Sequence, residues 1–153
     1  MAVLQPGEGN GDKGIRAKVR LDFKGVGKSG RFLFGGKTTE KAAEEAREHQ
    51  ITMLRNVPIQ GIQINDLDLS TDIYTIKDEF ENHDVSYAPV ILDVSADTLE
   101  DLVRFIARED FRKIEIISPP TISLYRTEME RLLFSVAREF KNMRESLERK
   151  LNK

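Results

Sequence analysis

The chain contains no cysteine. Disulfide bridges, thiolate metal sites and a cysteine nucleophile are therefore excluded, and the expected setting is a reducing one, the cytoplasm. Histidine is scarce, occurring only at His49 and His83. The first belongs to a charged helical stretch and the second to an acidic turn, with neither a second histidine for a metal nor a serine-and-acid pair in pattern, so both read as surface residues. No apolar run approaches the ~18 residues needed to span a bilayer. The opening Met1-Ala2-Val3-Leu4-Gln5-Pro6 also lacks the basic region and long apolar stretch of a signal peptide, so no membrane partner is expected. An excess of one charge is missing too. With 24 Lys/Arg against 26 Asp/Glu the net charge is -2, which gives no global pull toward nucleic acid or basic partners.

What is present describes a globular chain. Its 153 residues, 39% hydrophobic and 33% charged, suit one domain with a core of its own. Residues 1–14 hold Pro6 and glycines at 7, 9, 11 and 14 and little to bury, which reads as a flexible tail. Residues 15–126 read as a single α/β domain, and 127–153 as an amphipathic helix.

The domain's centre is a strand–helix–strand pattern over 89–118. Val90–Val94 is a short apolar run of the buried-strand kind. Asp97 and Glu100 offer a capped helix start, and Leu99, Leu102, Val103 and Ile106 place one apolar face on a helix over 97–109. Ile114–Ile117 is a second strand, stopped by Pro119 and Pro120, and the spacing suits a crossover between parallel neighbours. Upstream, Ile15, Ala17, Val19, Leu21 and Phe23 alternate with Arg16, Lys18, Arg20 and Asp22, the pattern of a half-buried strand. Arg31–Phe34 reads as its partner in a β-hairpin closed by 25–30. A helix capped by Thr38 or Thr39 follows to about Leu54, with an inward face that is small at Ala42, Ala43 and Ala46 and continues through Met53 and Leu54. Ile59–Ile64 reads as a strand ending in a turn or bulge at Asn65-Asp66. Ile73, Ile76 and Phe80 fall at helical spacing and predict a short helix over 72–82, although Asp72–Ile76 also alternates like a strand. Thr121–Arg126 fits either a strand or an early helix start, and Thr127–Glu130 reads as a capping box before the last helix. The expected fold is α+β or α/β, a mixed sheet of four to five strands.

Several short patterns suggest chemistry without completing it. Gly25-Val26-Gly27-Lys28-Ser29 has the end of a phosphate-binding loop, but Asp22 stands where the first glycine belongs and strand follows instead of helix. Asp22-Phe23-Lys24 has the acid-x-lysine spacing of metal-dependent nucleases, with only Asp12 of the tail as a nominal second acid. Asp66, Asp68, Ser70 and Asp72 resemble a calcium loop, yet Thr71 and Lys77 occupy the places of its glycine and bidentate glutamate. Asp93, at a strand end, is placed either for a ligand or to bond the loop and helix start that follow. No cofactor and no metal is called for.

Charge is segregated along the chain. Lys13–Lys41 carries nine Lys/Arg against Asp22 and Glu40, +7 in all, and 66–84 carries seven acids against Lys77, -6. Arg16, Lys18, Arg20, Lys24, Lys28 and Arg31 are accordingly the candidate positions for nucleic acid or another anionic partner, since a ribbon can track a phosphate backbone. The hairpin followed by a threonine-started, alanine-rich helix resembles, over about forty residues, the small DNA-binding modules at the start of phage-type integrases and in a class of plant transcription factors. The duller expectation is a solvated face neutralised by the acidic 66–84 segment, within one chain or between chains.

In the last helix, Phe140, Met143 and Leu147 are spaced 3 and 4 apart like a coiled-coil seam. With Leu133, Phe140 and Leu147 at a and Val136 and Met143 at d, Glu139 falls at g and Arg144 at the following e. The competing expectation is that the helix folds back and the seam is ordinary core. The leading functional expectation is a non-catalytic binding or regulatory module acting as a homo-oligomer. Nucleic-acid binding through the hairpin ranks second, and a metal-dependent phosphoesterase or nuclease third.

Overall fold

The computed structural model describes residues 14–26, 38–80 and 83–152. The elements run β1 (Ile15–Val26), α1 (Thr39–Asn56), β2 (Ile62–Asp68), β3 (Tyr74–Asp78), β4 (His83–Ala96), α2 (Leu99–Ile106), β5 (Phe111–Ser118) and α3 (Arg126–Leu151). Five strands form one antiparallel sheet ordered β2-β4-β1-β5, with β3 pairing β4, and the fold is α+β with a long C-terminal helix. β1 pairs along its whole length with β4, from Ile15 opposite Ala96 to Val26 opposite Val85. Its other edge carries β5, from Arg16 to Leu21.

The 89–118 unit has a different geometry from the neighbouring pair expected. β4 and β5 are both antiparallel to β1, hence parallel to each other, but β1 fills the slot between them. Alternation explains why: β1 buries Ile15, Ala17, Val19, Leu21 and Phe23 on one face and offers hydrogen bonds on both edges. β4 also starts earlier than its apolar run, at His83, and passes through a buried Pro89. On the edge away from β1, β2 pairs residues 91–96 and β3 pairs 83–87, so the proline falls in the gap between them, where no ladder bond is lost. Arg47 of α1 donates to the Pro89 carbonyl at 3.0 Å.

One sheet face holds the core. Ile51 and Leu54 from α1 and Leu102 and Phe105 from α2 join the buried row of β1 and Val90, Leu92, Val94 and Ala96 of β4. α1 lies close on this face because the facing residues are small. Ala43 is fully buried, and a Cβ on Gly25 would stand 2.0 Å from its backbone nitrogen. At the same contact the hydroxyls of Thr39, Ser86 and Thr75 form a chain with two 2.7 Å links.

Helix ends and short elements correct the expectations in detail. Thr38 caps α1, its hydroxyl accepting from the Lys41 amide, and the inward face near the helix end is Ile51 and Leu54, leaving Met53 exposed. α2 is capped by Thr98, one residue past Asp97, and Thr98 also donates to Asp101. α3 starts at Arg126 with no side-chain cap, so no capping box forms at Thr127, and 121–125 is neither strand nor helix. Within the stretch 72–82 expected as helix, Tyr74–Asp78 forms β3, because pairing with β4 satisfies its backbone groups and the Asp72–Ile76 alternation prevails. β2 begins three residues after Ile59 and carries its bulge between Ile64 and Asp66. The hairpin partner expected at 31–34 and its loop from Gly27 lie outside the described residues. β1 is in any case the interior of a five-stranded sheet, not part of a self-contained strand-and-helix module.

Candidate functional site

Opposite the core, the alternate residues of β1 meet those of β4 and β5 on a sheet face against which no described helix contributes core residues. Each arginine of β1 is held by a carboxylate of the same face. Arg16 makes a two-pronged contact with Asp93, at 3.1 and 2.8 Å, and Asn65 adds a bond at 3.3 Å. Arg16 first, and Asn65 after it, hold the Asp93 carboxyl below the usual carboxylate range. Arg20 grips Asp22 in the same way at 2.8 and 3.2 Å, which raises the guanidinium's pKa still further. Asp22 is only 2% exposed; Tyr74 donates to it at 2.5 Å and Arg112 approaches to 3.8 Å. Burial, and then that bond to a carboxylate, push the Tyr74 hydroxyl's pKa up. Tyr74 stacks on Tyr87 with centroids 5.4 Å apart, and Arg112 sits 5.2 Å over the Tyr87 ring.

The basic strand is thus neutralised locally. Arg16 and Arg20 meet Asp93 and Asp22, Lys18 acts through its charge on Asp68 as well as on Asp93, and Glu115 stands opposite Lys18 in the register with β5. Lys18 and Lys24 are exposed on the same strand, while Lys28 and Arg31 lie outside the described residues. Of the six candidate cations, Arg16 and Arg20 are thus each offset by a carboxylate within the face.

The short chemical patterns dissolve into structure. Asp22 spends its oxygens on Arg20 and Tyr74, which leaves the acid-x-lysine pattern without a free acid. Asp68 accepts from the Ser70 amide and hydroxyl, an Asx-type turn that lowers its pKa, and Leu67 beside it packs against the core. Asp93 lies inside β4 rather than at its end, so it bonds across the sheet instead of to the helix start. Gly25 and Val26 belong to β1, not to a loop. His49 is exposed, and His83 begins β4 with its ring nitrogen 3.2 Å from the Asp84 carbonyl. Among the described residues, no three His, Cys, Asp or Glu side chains are grouped to hold a metal ion.

α3 presents a different surface. Its side toward the domain is polar except for Leu132: Ser135 is fully buried and donates to Glu100 of α2 at 3.0 Å, and Glu128, Leu132, Glu139 and Ser146 are half-buried on the same side. Near its other end Lys150 bonds Glu109 at 2.7 Å, which draws the Glu109 carboxyl down. The apolar residues point away. Met129, Leu133, Val136, Phe140, Met143 and Leu147 are 42–73% exposed, and none joins the core cluster. Among the described residues the stripe is therefore not part of the domain core. Glu139 and Arg144 flank it, Arg144 sharing a 3.4 Å contact with Glu148. Neither the Ser135–Glu100 bond nor the Lys150–Glu109 pair was legible in the sequence, since each joins residues 35 and 41 apart. Sequence spacing did mark the seam, because heptad periodicity survives whether or not a partner is present.

Among the described residues no helix is long and apolar enough to cross a membrane. In comparison with known proteins, no family model matches the chain, and neither a curated protein nor a solved structure is significantly similar to it.

Proposed function

We propose that the protein is a non-catalytic binding module that works as a homo-oligomer, with α3 as the contact element. The observation that carries this reading is the inverted amphipathicity of α3. A helix that merely covers a sheet turns its apolar stripe inward, whereas here Ser135 faces the domain and Phe140 faces water. Contiguous exposed apolar surface of this kind marks an interaction site. About 100 Å² of each of the six seam side chains is open to solvent, roughly 600 Å² per chain and 1,200 Å² per pair, the lower edge of a specific interface. A second copy supplies an equal seam, and self-pairing needs no other partner.

Light scattering on the wild type and on a chain ending at Lys141 tests the proposal. The expected result is a wild-type dimer and a truncated chain that stays folded but monomeric. A monomeric wild type at tens of micromolar, or a truncated chain that remains dimeric, overturns it. Nucleic-acid binding through β1 is disfavoured by the same-face carboxylates that hold Arg16 and Arg20.

A further inference from the structure

Resting on that reading, we propose that two copies of α3 pair in parallel and in register over Met129–Leu147, with Glu139 of each chain meeting Arg144 of the other. The seam residues alternate at spacings of 4 and 3, a seven-residue repeat that keeps one stripe facing a partner helix along its length. The stripe ends at a defined place. The next d position is Lys150, and its ammonium is engaged by Glu109 of its own domain.

Charge decides the orientation. In a parallel pair each g residue approaches the e residue five positions on in the partner. Glu139 then meets Arg144, and the other two such pairings, Leu132 with Ala137 and Ser146 with Leu151, bring no like charges together. In an antiparallel pair g faces g and e faces e. Glu139 could then meet only Leu132, Glu139 or Ser146, and Arg144 only Ala137, Arg144 or Leu151. No antiparallel match unites opposite charges, and two of them oppose like charges. Arg144 is also free to turn, for its contact with Glu148 lies on the exposed helix surface with side-chain exposures of 80% and 59%.

The lack of cysteine supplies a clean test. Leu133→Cys and Leu147→Cys, each alone in the full chain, place one thiol near either end of the seam at positions that are exposed in the single chain, so folding is retained. After mild oxidation, non-reducing electrophoresis should show both variants cross-linked to a similar extent, since each a residue faces its own counterpart in a parallel pair. Arg138→Cys, on the outer side of the helix at f, should cross-link at least tenfold less. If only one of the two seam variants links, or neither does while light scattering still reports a dimer, the parallel register is overturned and the homo-oligomer stands. A wild-type monomer removes both.

Discussion

Phe140→Asp is the most informative single change. The ring is 73% exposed and lies at the middle a position of the seam. Full burial of a Phe side chain is worth about 1.5–3 kcal/mol, so three-quarters of that is about 1–2 kcal/mol per ring and 2–4 kcal/mol per dimer. The aspartates would also face each other across the seam, and like charges brought together in an interface cost several kcal/mol. A loss of about 5 kcal/mol weakens the dissociation constant by between a thousand- and ten-thousandfold. The variant should therefore be monomeric at any practical concentration by sedimentation equilibrium, with an unchanged thermal transition once referred to the monomer. Phe134→Asp is the matched control: it is 68% exposed on the same helix but at b, beside Arg138 and off the seam. It should leave the dimer within about tenfold of wild type. Equal dissociation by the two variants would mean that the surface is merely sticky, and the heptad argument fails.

Other consequences can be checked singly. Glu139→Arg should weaken the dimer a few-fold, and adding Arg144→Glu should restore it, because an exposed pair contributes about 0.2–1 kcal/mol; no rescue in sedimentation refutes the pairing. Asp22→Asn should destabilise the fold by about 1–3 kcal/mol in urea, since Arg20, Tyr74 and Arg112 all converge on that nearly buried carboxylate. Gly25→Ala should cost a similar 1–3 kcal/mol, because the new methyl meets the Ala43 backbone. The pH response follows from Asp93, whose folded pKa is held below its unfolded value by Arg16. Its contribution is complete above the unfolded carboxylate pKa of ~3.9 and disappears as pH falls through the folded value. Arg16→Met should therefore raise the midpoint of acid unfolding, with the difference vanishing at the acid extreme; a difference that persists there contradicts the assignment.

Periodicity alone was enough to locate β1, α1 and α3. The alternation of Ile15–Phe23, the alanines of α1 and the stripe of α3 are periodic, and periodicity reports which face is apolar wherever that face is turned. It also marked Phe140, Met143 and Leu147 as one apolar stripe. Only the tertiary structure decided where those faces go. β1 inserts between β4 and β5 because backbone pairing joins residues far apart in sequence, and no local spacing encodes the choice of neighbour. For the same reason the arginines of β1 look like a basic patch in sequence but meet Asp22 and Asp93 in space. The spacing over 72–82 suits helix and strand alike, and pairing with β4 settled Tyr74–Asp78 as strand. The direction of the α3 stripe was likewise open in sequence: the same spacing serves a stripe turned toward the domain or away from it, and it is Ser135 that packs on Glu100 while Phe140 is exposed.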